Sequence, residues 1–196
     1  MITDILLDFG GILETVRFEE FYTGFLRIPK EGLRDFRRFE SSLRHNLDRR
    51  AISVGEYLAA IRNVSSFPGS DADYIRSIRS YADFDNQLFE HLRTVKDRLR
   101  LSIFSNNSEI FIDDNRRREL GPVFDRQFYS FEYGISKPDT RFYREVLELL
   151  AVQPDSCLFI DDKEVNLVPA RKLGMKTRLY SGRDDLEKTL CEPSRI

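Results

Sequence analysis

Ile5-Leu6-Leu7-Asp8-Phe9-Gly10-Gly11-Ile12-Leu13 is the stretch on which the fold turns. Three successive apolar side chains suit a strand buried on both faces, as in a parallel sheet covered by helices. Such a strand ends here in an aspartate, and open α/β sheets bind ligands at the carboxyl ends of their strands. The two glycines that follow let the backbone bend closely around an anion with N–H groups turned inward. Taken alone, the stretch equally fits a strand-ending turn with a capping aspartate. It is not a dinucleotide fingerprint, because the GxGxxG spacing is absent.

Working outward, four more short apolar runs repeat the pattern: Leu101-Ser102-Ile103-Phe104, Gln127-Phe128-Tyr129, Cys157-Leu158-Phe159-Ile160 and Thr177-Arg178-Leu179-Tyr180. Helical stripes separate them. Asp85 precedes Leu88, Phe89, Leu92 and Val95; Pro138 opens a segment with Phe142, Val146, Leu149 and Leu150; Gly174 closes a helix ending at Leu173. Alternating strand and helix gives an α/β class with a parallel sheet, a Rossmann-like three-layer core.

Residues 15–84 break the alternation. Phe18, Phe21, Tyr22 and Phe25 form one helical stripe, and Leu33, Phe36, Phe39, Leu43 and Leu47 a second. Ser53-Val54-Gly55-Glu56 reads as a capping box opening a third helix, and Tyr74, Ile75 and Ile78 mark a fourth after the breakers Pro68 and Gly69. The expected organisation is a core of residues 1–14 and 85–196 with an inserted helical cap at 15–84, free of strands.

The 196 residues suffice for a core without a disulfide or structural metal, since a chain this long buries about 70 % of its unfolded surface. Thirty-one Lys and Arg against 33 Asp and Glu leave a net charge of −2, which argues against a bulk electrostatic grip on nucleic acid. No apolar run approaches a membrane span, so no membrane partner is expected. Two cysteines, Cys157 and Cys191, and no signal-peptide pattern lead to the expectation of reduced thiols and a cytoplasmic protein. Cys157, within an apolar run, reads as core. The arginines crowding the cap and Arg116-Arg117-Arg118 read mainly as solvated helix faces, with one or two able to face an anionic substrate.

The strand ends carry the chemistry. After Asp8 come Ser105-Asn106-Asn107-Ser108, able to donate to phosphate oxygens or to cap the next helix, then Ser136-Lys137-Pro138, and finally Asp161-Asp162-Lys163. Two adjacent carboxylates ending an apolar strand repel unless a cation offsets them, and an oxygen-ligand Mg²⁺ site is the natural reading. Together these groups match what phosphoryl transfer to an aspartate requires: an ionised nucleophile, and positive charge to neutralise nucleophile and phosphate.

In these four motifs and their order the chain resembles the haloacid dehalogenase-like hydrolases, and the helical insert resembles the family's first cap type. The segment Phe159-Ile160-Asp161-Asp162 through Asn166, Ala170-Arg171 and Leu173-Gly174-Met175 is similar to the branch holding the phosphatase domain of soluble epoxide hydrolases and bacterial sugar-phosphate phosphatases. The resemblance implies Asp8 as nucleophile and Mg²⁺ ligand, Ser105 and Asn106 as phosphoryl-oxygen donors, and Lys137 bridging phosphate and Asp8. It implies Asp162 as a further metal ligand with Asp161 supporting it, and Gly10 lending its backbone carbonyl to the metal. The implied activity is Mg²⁺-dependent hydrolysis of a small phosphorylated metabolite, a sugar phosphate by preference, through an aspartyl-phosphate.

One position departs from the resemblance. Most phosphatases of the family have a second aspartate where this chain has Gly10, and it protonates the leaving alcohol and later activates water. Losing a general acid/base costs about 10²–10⁴ in rate. Either a cap residue such as Glu14, Glu19, His45 or Asp48 substitutes, or the leaving group needs less help, or the chain is a weak enzyme kept for binding a phosphate ligand. The acidic pair argues against a metal-free dehalogenase. A receiver domain is disfavoured because its acidic pair precedes the phosphorylated aspartate and it has no cap.

Overall fold

A computed structural model describes residues 2–191; Met1 and residues 192–196, the end of the expected core region, lie outside the described residues. The five expected strands form one parallel sheet of order β5-β4-β1-β6-β7, comprising β1 (Asp4–Leu7), β4 (Arg100–Ser105), β5 (Arg126–Tyr129), β6 (Cys157–Asp161) and β7 (Lys176–Leu179). The sheet's alternation sorts its side chains into two cores. Ile5, Leu7, Leu101, Ile103, Leu158 and Ile160 pack against α5 (Asn86–Val95), α6 (Asp114–Leu120) and α10 (Arg183–Cys191). Leu6, Phe104, Cys157 and Phe159 pack on the other face against α8 (Thr140–Leu150) and α9 (Glu164–Lys172). The short α7 (Ser130–Tyr133) follows β5. Cys157 is buried, and burial pushes its thiol up to about 12, as befits a core residue.

Local signals fix several boundaries. Asp85 accepts from the Leu88 N–H at 2.9 Å to open α5. Gly174 follows α9 with φ +90°, a backbone that glycine adopts without a Cβ clash. Pro138 does not open α8: the helix begins at Thr140, with Asp139 accepting from the Arg141 N–H, and the proline lies in the turn before it.

Between β1 and α5 lies the cap: α1 (Phe18–Glu20), a π-helical turn Phe21–Phe25, a 3₁₀ turn Lys30–Gly32, α2 (Leu33–Asp48), α3 (Val54–Val64) and α4 (Asp71–Ser80). The Ser53–Glu56 capping box is formed, and Ser70 and Asp73 form another at α4. Phe21, Tyr22, Phe36, Leu47, Tyr57, Leu58, Ile61, Tyr74 and Ile78 make the cap's own core.

The expectation of helices alone over 15–84 is corrected by a two-stranded antiparallel ribbon, β2 (Glu14–Val16) with β3 (Ala82–Phe84), which carries the chain into and out of the cap. Each strand is three residues long, too short for an alternating pattern, and its partner is remote in sequence. Arg79 on α4 ties the cap to the core, donating to the Ile110 carbonyl and to Asp113, each at 2.5 Å, and Arg50 pairs with Glu109. No helix among the described residues is long and apolar enough to cross a membrane.

Candidate active site

Sheet order and register gather the chemistry. β1 lies between β4 and β6, with Leu7 level with Ile103 and Ile160, so the next residue, Asp8, falls level with Phe104 and Asp161. The Asp8 N–H donates to the Ile160 carbonyl at 2.9 Å. The three central strands thus end beside one another with Asp8, Ser105 and Asp161, all buried.

Lys137 enters this cluster from the turn before α8 and is itself buried. Its ammonium lies 3.1 Å from Asp8 Oδ1 and 2.6 Å from Asp161 Oδ2, and donates to the Phe104 carbonyl at 2.7 Å. Of the ammonium's three protons two go to Phe104 and Asp161, and Asp8 is held as an ion pair, which leaves one for a ligand oxygen. The rings of Phe104 and Phe159 flank it, each 5.2 Å away at its centroid.

Asp161 is held from every side. Besides Lys137 it accepts from the Lys163 N–H at 2.8 Å and from the Asn166 amide at 2.9 and 3.0 Å. Its fixed carboxylate aims the Lys137 ammonium. Asp162 differs: it is half-exposed and lines the pocket, and its Oδ1 is buried without a hydrogen-bond partner. The Asp162 carboxylate packs against Gly11, where a Cβ would stand 2.5 Å from Oδ2, and Gly11 has φ +82°. Glycine is therefore required at 11 for both conformation and space.

Burial pushes the Asp8 carboxyl above its ordinary range; Lys137 opposes this, neighbouring Asp161 adds to it, and Lys163 opposes it further. Burial likewise raises Asp162, against the pull of Lys163. Asp8, Asp161 and Asp162 can each place an oxygen within 4.8 Å of the others. Three carboxylates against one buried ammonium leave excess negative charge, and Asp162 Oδ1 accepts no hydrogen bond, with only the exposed Lys163 ammonium 3.7 Å away. An all-oxygen set of this kind fits a hard divalent cation such as Mg²⁺. The Gly10 carbonyl accepts no hydrogen bond among the described residues, so it is free to serve as a further oxygen.

Ser105 Oγ is buried beside Asp8 with no hydrogen-bond partner, as a hydroxyl kept for a ligand would be. The Asn106 side chain is committed to backbone. Its amide nitrogen donates to the Lys137 carbonyl and its amide oxygen accepts from the Lys137 N–H, both at 2.8 Å. The side chain clasps the lysine's backbone, and Asn106 lines the pocket.

Above these groups lies a cavity of about 420 Å³ between core and cap. Gly10, Gly11, Asn106, Asp162 and Lys163 line its floor, and Phe18, Arg44, His45 and Asp48 its cap side. Arg44 is thus the one of the crowded cap arginines that reaches the pocket. It stacks on the Phe18 ring, 3.9 Å from its centroid, and pairs with Glu40 at 3.3 Å. Glu40 is fully buried and accepts from the hydroxyls of Tyr22 at 2.6 Å and Tyr57 at 2.7 Å. Sequence reasoning overlooked this network, although Glu40 stands four residues after Phe36 and seven before Leu47, on the buried stripe of α2. Of the proposed substitutes for an acid at position 10, Glu14 is buried and paired with Arg116, and exposed Glu19 pairs with Arg37 outside the pocket.

A model of the haloacid dehalogenase-like hydrolases matches residues 5–174. The chain belongs to this family. Among curated relatives it is 32 % identical over 120 residues to bifunctional epoxide hydrolase 2 of Sus scrofa, covering 48 % of this chain and 21 % of that protein. It is 31 % identical over 118 residues to a chloroplast flavin mononucleotide hydrolase of Arabidopsis thaliana, covering 60 % of this chain and 47 % of the relative. The match therefore spans less than half the length of these relatives. Among solved structures, a family hydrolase from Porphyromonas gingivalis superposes with a TM-score of 0.83 at 21 % identity, over 100 % of this chain and 99 % of that one. A family enzyme from Bacteroides thetaiotaomicron, in complex with magnesium and inorganic phosphate, superposes with a TM-score of 0.78 at 20 % identity, over 91 % and 94 % of the chains. The fold is that of these hydrolases.

Proposed function

We propose that this family hydrolase is a Mg²⁺-dependent phosphatase acting on a small phosphorylated metabolite, with a sugar phosphate as the class best suited to its polar pocket. The observation that carries the reading is the Asp8–Lys137–Asp161 contact at the ends of adjacent strands, next to an Asp162 oxygen and a Ser105 hydroxyl that both lack a hydrogen-bond partner. The relative described as a flavin mononucleotide hydrolase and the neighbour solved with magnesium and phosphate support it.

Asp8, Asp162 and the Gly10 carbonyl would hold the cation, with Asp161 at its edge. When bound, Mg²⁺ neutralises phosphate charge and lets the anionic nucleophile approach. The protein's own groups do the rest. Lys137 balances Asp8 and lies where a phosphoryl oxygen would add to its contacts. Ser105 Oγ and the Asn106 main chain offer donors to the phosphoryl group. Asp8 attacks phosphorus, the leaving alcohol departs, and water hydrolyses the aspartyl-phosphate. The cap walls the cavity and limits water access.

Phosphate release from sugar phosphates, acyl phosphates, nucleotides and p-nitrophenyl phosphate, with and without Mg²⁺, tests the reading beside Asp8→Asn. Metal-dependent turnover abolished by Asp8→Asn is expected. Binding of Mg²⁺ and phosphate without turnover of any compound would instead support a phosphate-ligand binding protein, with Gly10 as the reason.

A further inference from the structure

Gly10 stands two residues after the nucleophile, and a Cβ built there meets nothing within 4 Å. The loop that carries Asp8 therefore opens onto the cavity without offering any side chain at that point. A phosphate ester with an alkoxide leaving group needs a proton as the P–O bond breaks. Of the titratable groups lining the cavity, Glu14 is held by Arg116, Asp162 belongs to the cation site, and Lys163 pairs with Asp162 at 3.7 Å. Arg44 is a guanidinium committed to Glu40 and Phe18. His45 and Asp48 remain, both from α2.

Asp48 is the better placed of the two. His45 is exposed, whereas Asp48 is largely enclosed and makes no hydrogen bond or ion pair among the described residues. It closes the last turn of the helix whose inner face is fixed by Glu40, Tyr22 and Tyr57, so its position is set by a rigid element. We propose that Asp48 is the catalytic acid and base of this site, supplied by the cap in place of a side chain at position 10. The proposal rests on the phosphatase reading.

The proton balance is simple. As the Asp8 carboxylate oxygen bonds to phosphorus, the P–O bond to the alcohol breaks. Its electron pair goes to the leaving oxygen, which takes the proton from the Asp48 carboxyl. Asp48, now a carboxylate, then takes a proton from the water that attacks phosphorus. The bond from phosphorus to Asp8 breaks with its electron pair returning to Asp8, and phosphate and the protonated Asp48 are regenerated.

The electrostatics suit both halves. The Asp48 carboxyl is raised to about 7: burial pushes it up, Arg44 from its own helix pulls it down, Glu40 adds to the rise, and Lys163 from the loop after β6 opposes it. The other titratable groups lining the cavity are Glu14, His45 and Asp162. Near neutral pH both protonation states are populated, which is the condition for donating in one step and accepting in the next.

The test compares Asp48→Asn with wild type on glycerol 2-phosphate and p-nitrophenyl phosphate. For the alkyl ester, kcat/KM should fall about 10²–10⁴-fold, the usual worth of a general acid. For p-nitrophenyl phosphate, whose leaving group needs no proton, kcat/KM should change less than tenfold. Its kcat should drop nonetheless, with a burst of nitrophenolate as the aspartyl-phosphate accumulates, because the base is gone. Asp48→Glu should recover part of the alkyl activity, and His45→Gln should leave the leaving-group dependence unchanged. A loss equal for both esters without a burst, or no loss, overturns the role of Asp48 while leaving the phosphatase reading intact. Absence of wild-type turnover on every phosphate overturns both.

Discussion

Replacing Glu40 by Gln tests whether a buried carboxylate organises the cap. The substitution keeps the shape of the side chain and removes its charge. Two hydroxyl donors, from Tyr22 at 2.6 Å and Tyr57 at 2.7 Å, and the Arg44 guanidinium at 3.3 Å all address this carboxylate, which has no solvent exposure. The same tyrosines are held firmly protonated by burial and by Glu40, so they act as donors at all working pH values. Charge-assisted hydrogen bonds are roughly twice as strong as neutral ones, so neutralising the acceptor weakens each tyrosine bond by about 1 kcal/mol. Losing the partly shielded pair with Arg44 adds about 1 kcal/mol, and turning one acceptor into an NH₂ donor adds a mismatch of similar size. These losses total about 4 kcal/mol, and relief of the carboxylate's own desolvation offsets up to about half, leaving about 2–4 kcal/mol, or a fall in Tm of about 5–15 °C for a chain of this length. Urea unfolding at neutral pH and a thermal melt measure it. Glu40→Gln as stable as wild type would refute the reasoning: the desolvation of the carboxylate would then equal everything its partners return.

The remaining predictions concern the site. Gly11→Ala must place a Cβ 2.5 Å from Asp162 Oδ2 at φ +82°, so a stability loss of about 1–2 kcal/mol and at least tenfold weaker Mg²⁺ binding by calorimetry are expected; unchanged Mg²⁺ affinity contradicts the cradle. Asp48 has a folded pKa of about 7, above the ordinary carboxylate value near 3.9, so the folded state holds its proton longer than the unfolded chain. The cost of ionising it in the fold is absent at pH 4, grows as pH rises to 7 and is complete above that. Reduced for partial exposure, it comes to about 1–3 kcal/mol, so Asp48→Asn should be more stable than wild type at pH 8 and level with it at pH 4. A stability difference that does not vary with pH contradicts that ionisation.

The sequence by itself determined the sheet and the strand-end chemistry. Asp8, Ser105, Asp161 and Asp162 were legible because they end apolar runs, and strands buried on both faces announce themselves without their partners, whereas Lys137, in a turn before a helix, stood out only through the order of the four motifs. Asp85 and Ser53 likewise mark helix starts through contacts within three residues. Tertiary structure decided what depends on distant pairing. The ribbon β2–β3 exists only because residues 14–16 and 82–84 meet. Asn106 clasps Lys137 across 31 residues, a job invisible beside its own neighbours. Glu40 looks like a surface charge until Tyr22 and Tyr57 close around it, and Asp48 acquires its raised pKa only from the burial and charges that the assembled pocket supplies. Side-chain type and periodicity are local and survive in a string of letters. Desolvation and charge pairing are properties of three-dimensional neighbours, and only the folded chain sets them.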